Sequence, residues 1–247
     1  MIRVTITRAR GSSPREAGAT MIVTRDTTQG TIGGGQLEYM AIDRARQMLA
    51  RAEDRAAMDI PLGPEIGQCC GGRVELTLTR IATAPPAPEY PQVLIFGAGH
   101  VGRALSRALA LLPLRPILID QRAPELAQAT GETRLTPLPE SEIRAAPIGS
   151  SYVILTHDHA LDFLLAAEAL KRPDAPYIGM IGSQTKLAQF RRFARAQGLA
   201  TDRLTCPIGA GHSRDKRPEI IAAFTAAEII GRLTQTTSSM NKYPCDS

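Results

Sequence analysis

Tryptophan is absent from the 247 residues, and Tyr and Phe number only five each. So thin an aromatic complement offers few platforms for stacking bases. The net charge is +5, but the arginines are scattered through helix-patterned stretches rather than gathered into a stripe. Nucleic acid is therefore not an expected partner. A positive surface suits an anionic small ligand or an acidic partner, and equally a plain solvated arginine-rich face. No apolar run approaches the length that spans a bilayer, and the N-terminus passes straight into strand-like sequence without a signal-type apolar core. The expectation is a cytoplasmic protein with no stable membrane association. Cysteine is scarce too: there are four, two of them adjacent at Cys69 and Cys70. Neighbouring cysteines bridge only with strained geometry, so a secreted disulfide framework is excluded and thiol chemistry is the better expectation.

What is present is an ordinary globular composition, 43% hydrophobic and 21% charged, in a chain long enough for one large domain or two modest ones. No internal repeat is visible. Thr83 to Pro91 carries four prolines in nine residues, which hold backbone extended and mark 83–91 as a linker. It divides an N-terminal α+β domain, 1–82, from a C-terminal domain, 92–233. The Ser/Thr-rich 234–247 is expected to fray.

The C-terminal domain opens with the most informative stretch, Gln92 to Asp120. Val93–Phe96 is a short apolar run of strand formers, followed at once by Gly97-Ala98-Gly99-His100-Val101-Gly102, a G-x-G-x-x-G. Ala104, Leu105, Ala108, Leu109 and Leu112 then recur at helical spacing, and Ile117–Ile119 forms a second strand closing on Asp120. This is a βαβ unit. Gly97 allows the tight turn, Gly99 lets backbone approach a pyrophosphate, Gly102 lets helix pack on sheet, and Asp120 stands where a carboxylate can accept bonds from a ribose diol. The same glycines serve equally as turn and packing residues without any dinucleotide. Strands at 133–135, 152–156 and 177–181 alternate with helices at 124–129, 139–145, 158–170 and 182–197, and a last helix spans 219–233. That alternation predicts an α/β fold, a Rossmann-like, doubly wound parallel sheet. Leu161, Leu164, Leu165 and Ala169 are expected inward, and Lys186, Arg191, Arg192 and Arg195 on a basic outer face.

In the N-terminal domain, strands over 4–9 and 19–24 are expected to pair. Gly33, Gly34 and Gly35 open a helix over 36–53, and strands cover 58–62 and 73–81. Between the last two lies Gly63-Pro64-Glu65-Ile66-Gly67-Gln68-Cys69-Cys70-Gly71-Gly72, a compact functional loop. Its backbone amides can lower a thiolate pKa or hold an anion, and a soft thiolate can bind a soft metal or accept sulfur, so Cys69 and Cys70 are candidate metal ligands. No second Cys or His pair stands at finger spacing, which disfavours zinc. Two small buried cysteines in a turn is the bland alternative.

Other candidates lie at strand-to-helix junctions. His157, Asp158, His159 and Asp162 could bind metal or do acid–base work, or His157 and Asp158 could merely cap a helix. His100 could bond a phosphate. Ser183 is the expected N-cap of a second anion site, with Lys186 one turn on to neutralise a phosphate.

Taken together, six segments resemble the xanthine dehydrogenase accessory protein family, the XdhC/CoxI group: Gly11–Ala19, Gly30–Glu38, Leu62–Gly72, Val93–Gly102, Thr156–Asp162 and Tyr177–Lys186. The closing Cys206–Ala223 segment resembles the family's pattern less closely, departing from it at Ala210–Asp215. The resemblance implies a chaperone rather than a turnover enzyme. Such a protein binds the molybdenum cofactor (molybdopterin), protects it while a cysteine desulfurase replaces an oxo ligand with sulfur, and delivers it to apo xanthine dehydrogenase. On this resemblance Cys69 and Cys70 lie near the metal or sulfur, flanked by Gln68 and Gly71, with Arg15 and Gly33–Gly35 shaping the same pocket. A homodimer is expected of a carrier enclosing a labile group. Two rivals remain: a nicotinamide-dependent oxidoreductase using Gly97, Gly99, Gly102 and Asp120, and a metal-dependent hydrolase built on His157, Asp158 and His159.

Overall fold

The computed structural model describes residues 1–63, 71–86, 88–211, 213 and 215–240, with the side chains of 235–240 left aside. The chain divides into two compact units, Met1–Pro88 and Glu89–Ser247.

In the first unit the described elements are β1 (Ile2–Arg10), β2 (Thr20–Val23), β3 (Thr28–Gly30), α1 (Gly35–Arg51), β4 (Arg55–Leu62) and β5 (Gly72–Arg80). Alternation decides the strands: Ile2, Val4 and Ile6 of β1 and Val74, Leu76 and Leu78 of β5 are buried, with their neighbours turned away. The sheet runs β3-β2-β1-β5-β4 and its pairings are antiparallel. Leu37, Ala41, Ala45 and Met48 repeat at helical spacing on α1 and close the core against one face of that sheet. The expected pairing of the first two strands is present. β3 has no apolar alternation because Thr28, Gln29 and Gly30 form an exposed edge, so nothing in hydropathy marks it.

In the second unit come β6 (Gln92–Phe96), α2 (His100–Leu109), β7 (Arg115–Asp120), α3 (Ala123–Leu126), β8 (Glu132–Leu135), α4 (Pro139–Ala145), β9 (Ser151–Ile154), α5 (His159–Leu170), β10 (Ile178–Met180), α6 (Gln184–Ala196), β11 (Leu204–Thr205) and α7 (Pro218–Met240). The parallel sheet runs β11-β10-β9-β6-β7-β8. The two halves diverge from β6 and β9, which is the Rossmann order, with its topological switch between those two strands. Strand residues alternate between two cores. Leu94, Phe96, Tyr152 and Ile154 pack with Leu165, Leu187 and Phe190 on one face. Val93, Ile95 and Val153 pack with Leu105, Leu109, Ala222 and Ile229 on the other. The predicted α/β class, with a Rossmann-like doubly wound sheet and a smaller α+β unit, is the observed one.

Three expectations are corrected. Leu164 is 56% exposed, because the buried side of α5 runs through Asp162, Leu165, Ala166 and Ala169 instead. Lys186 leaves the basic outer face, for it is buried and ion-paired to the fully buried Asp162, while Arg191, Arg192 and Arg195 remain exposed. α7 continues to Met240, past the predicted end at Leu233. No described helix is long and apolar enough to cross a membrane.

Candidate functional site

The β6–α2 turn is built from three glycines with different reasons to be glycine. Gly97 has φ 118°, and a Cβ there would overlap the carbonyl oxygen of Leu155. A Cβ on Gly102 would overlap the carbonyl oxygen of Gly97. Both are demanded by the fold itself. Gly99 has an ordinary φ of −67°, and nothing lies within 4 Å of where its Cβ would be. It sits at the N-cap of α2, whose first amides have no intrahelical acceptor. His100 is the first residue of that helix and is exposed.

The turn is braced through Ala98. Its N–H donates to Oδ2 of Asp120 at 2.7 Å, and its carbonyl accepts from the guanidinium of Arg103, which also pairs with Glu125 at 2.8 Å. Asp120 is almost closed off, its side chain only 4% exposed. Oδ1 accepts from the N–H of Arg122 at 2.9 Å and from its Nε at 3.0 Å, and Oδ2 accepts from its Nη2 at 2.9 Å as well as from Ala98. Burial pushes the carboxyl pKa up, but the Arg122 guanidinium and the two backbone donors outweigh it and hold Asp120 below the usual carboxylate range. A carboxylate offers about four acceptor positions, and all are taken. The expected diol-accepting role therefore has no acceptor left, and Arg122, the residue that removes it, was missed in the sequence. Its signal was there: an arginine two places after a Rossmann acid.

Beside this turn a small, narrow cleft is lined by Phe96, Gly97, Ile119, Asp120, Gln121, Pro139, Thr156, His157 and Leu161. It lies along the carboxyl edge at the switch point, where ligands bind in such sheets. His157 lines it and is exposed, as is His159. Asp158 is the N-cap of α5, its carboxylate accepting from Ala160 and Leu161 N–H. Asp162 accepts from the N–H and hydroxyl of Thr156 and from Lys186 Nζ. The two carboxylates of this segment are thus committed within the chain while both imidazoles are exposed, and among the described residues no group of three His, Cys, Asp or Glu could hold a metal. Ser183 caps α6 through the Lys186 N–H, while the Lys186 ammonium is held by Asp162. Its predicted phosphate-neutralising role is closed by that buried pair.

In the first unit, the glycine segments meet. A Cβ on Gly33 would overlap the Pro14 ring, and one on Gly72 would overlap the Ser12 carbonyl. Gly71 N–H donates to Leu62 O at 2.7 Å and Leu62 pairs with Gly72, so the end of β4 and the start of β5 are held together beside the 11–14 turn. Arg15 is exposed in the following turn. Gln68, Cys69 and Cys70 lie outside the described residues. The Gly33–Gly35 cluster is not open: the amides of Ile32, Gly33 and Gly34 and the Thr31 hydroxyl all donate to Oε1 of Glu38. Burial raises the Glu38 pKa, yet those donors outweigh it and leave the group below its ordinary value. An acid in the first turn of a helix opened by glycines was the available signal.

Fold and turn geometry define the class: a two-unit α/β protein whose C-terminal unit is a Rossmann domain with an anion-type glycine turn. Residues 93–229, more than half of the chain, match the XdhC Rossmann domain, and residues 1–60 match the XdhC and CoxI family. The chain belongs to the XdhC and CoxI family. It is similar to the uncharacterized protein YqeB of Escherichia coli (strain K12), 26% identical over 235 residues. That match takes in 91% of this chain but 42% of YqeB, so the chain spans less than half of that relative. A crystal structure described as a xanthine dehydrogenase from Bacillus halodurans shares the fold, with a TM-score of 0.78 and 18% identity, covering 100% of this chain and 93% of that one. The NAD(P)-binding domain of an exopolyphosphatase-related protein from Archaeoglobus fulgidus, 15% identical, covers 62% of this chain and 100% of its own at a TM-score of 0.37, too low to carry an argument.

Proposed function

We propose that this chain is a maturation factor for a xanthine dehydrogenase. In this reading it is a carrier that binds the molybdenum cofactor, shields it while a cysteine desulfurase exchanges oxo for sulfur, and delivers it to the apoenzyme in the cytoplasm. Membership of the XdhC and CoxI family supports the reading. The observation that carries it is the packing of the 11–14 turn, Gly33 and Gly72 around the base of the loop that contains Gln68, Cys69 and Cys70. Segments far apart in sequence are gathered where β4 ends and β5 begins, on either side of the stretch that carries the two cysteines.

The fit to such a group is uneven. Exposed Arg15 suits a terminal phosphate. The amides of Gly33 and Gly34 do not fit as an anion cradle, because Glu38 fills them. In the Rossmann unit Gly99 fits: no atom of the described residues lies within 4 Å of where its side chain would begin, which leaves room for a pyrophosphate over the first amides of α2. We assign the crevice beside it to a nucleotide-type ligand. With a pyrophosphate there, Ala98 and Arg103 would hold the turn rigid while Thr156 and His157 lined the opposite wall.

The test is purification of the full chain from molybdenum-replete cells under anaerobic conditions, with metal analysis and pterin fluorescence, for wild type, Cys69→Ala and Cys70→Ala. Molybdenum and pterin in the wild type, reduced in either variant, are expected. Their absence from the wild type would refute the carrier reading. Sedimentation of the loaded protein tests the homodimer expected of a carrier.

A further inference from the structure

Resting on the reading of the Rossmann crevice as a nucleotide site, we propose that its ribose end selects a sugar bearing a phosphate monoester and refuses a free diol. Arg122 is the specificity residue and Asp120 its positioning residue. In the conventional arrangement the acid at the end of the second strand accepts both hydroxyls of the ribose, whereas an arginine nearby accommodates a 2′-phosphate. Here acid and arginine are two residues apart and locked together. The four acceptor positions of Asp120 are filled by Ala98 N–H, Arg122 N–H, Arg122 Nε and Arg122 Nη2. A diol would have to displace a charge-assisted pair with neutral hydrogen bonds and strand the guanidinium, an exchange that runs against binding.

A phosphate needs no such exchange. Of five guanidinium donors, two go to Asp120, which leaves three, and the Arg122 side chain is 35% exposed. The buried carboxylate fixes the plane of the fork, and the remaining edge suits a phosphate dianion bidentately. Asp120 lines the cleft and holds the guanidinium, so Arg122 stands directly behind a lining residue without lining the cleft itself.

Isothermal titration of the full chain with NADP⁺ and with NAD⁺ tests this, in wild type, Arg122→Ala, Arg122→Lys and Asp120→Asn, each checked by thermal melt. Wild type is expected to bind NADP⁺ about tenfold or more tightly than NAD⁺, the scale of one charge-assisted contact. Arg122→Ala should abolish the preference and Arg122→Lys, which keeps charge without the fork, should retain part of it. Asp120→Asn should weaken NADP⁺ rather than NAD⁺, because its effect is through Arg122. Equal or tighter binding of NAD⁺ by the wild type, or an Asp120→Asn variant that loses NAD⁺ alone, would overturn the proposal while leaving the crevice a nucleotide site. If neither nucleotide binds, the crevice reading falls and this inference with it.

Discussion

Two glycine clusters, each opening a helix, look alike in sequence and differ in what their backbone faces. Gly33-Gly34-Gly35 leads α1, and its amides turn inward onto the carboxylate of Glu38. Gly97-Ala98-Gly99 leads α2, and there the internal carboxylate, Asp120, takes Ala98 alone of the cluster's amides, leaving Gly99 beside open space. Both are concave arrays of donors of the kind that favour anions. One already holds its anion covalently tethered; the other leaves room for one. Glycine richness therefore says that backbone must come close to something, and only the count of donors against internal acceptors says whether that something belongs to the chain.

The comparison breaks most violently at the glycines that serve packing. Gly102→Ala should cost at least about 4 kcal/mol, because its Cβ would overlap backbone rather than a flexible side chain. Chemical denaturation, or failure to recover folded protein, would register it. A variant of near wild-type stability would mean that the turn relaxes, and that the division of glycines into packing and ligand-facing kinds is wrong.

A smaller effect is expected where the tethered anion is removed. Glu38→Ala should destabilise by about 1–2 kcal/mol, in the range of a lost N-terminal cap. It should also create what the wild type lacks, a vacant nest, so sulfate should stabilise the variant more than the parent in thermal melts. The sign with pH follows from the depressed pKa. Glu38 contributes stability above its ordinary value of 4.5, and that contribution is lost as pH falls below it through the lower folded value. The gap between wild type and variant should therefore narrow on acidification from pH 6 to 3. A gap that does not narrow at all over that range would show that the side chain acts by packing and not as a carboxylate.

Much of this organisation was legible because local chemistry and tertiary environment agree. The apolar runs of β6, β7 and β9, the periodicity of α1 and the G-x-G-x-x-G fix strands, helices and the Rossmann order, since a parallel sheet covered on both faces admits little else. Individual side-chain pairings were harder to read. Lys186 reads as part of an arginine-rich helix face until Asp162, 24 positions away, draws it into the interior. Asp120 reads as a ligand for sugar hydroxyls until the rotamer of Arg122 is known. β11, with two residues, carries no pattern at all. For Lys186 and Asp120 the deciding partner is a single side chain, and hydropathy does not record such partners.

The sharpest discrimination comes from the smallest expected change in stability. Gly99→Ala requires no unusual φ and meets no atom within 4 Å. Its cost should stay under about 1 kcal/mol, the difference between glycine and alanine at an N-cap. If Gly99 is glycine for the sake of a ligand, the same substitution should weaken nucleotide binding at least about tenfold, because a methyl group would stand where a pyrophosphate approaches the first amides of α2. Packing glycines cannot show that combination: their substitution loses fold and ligand together. Stability kept and affinity lost would mark Gly99 as facing outward in function as well as in geometry. Affinity kept would return the whole turn to the role that Gly97 and Gly102 already fill, the joining of a strand to a helix.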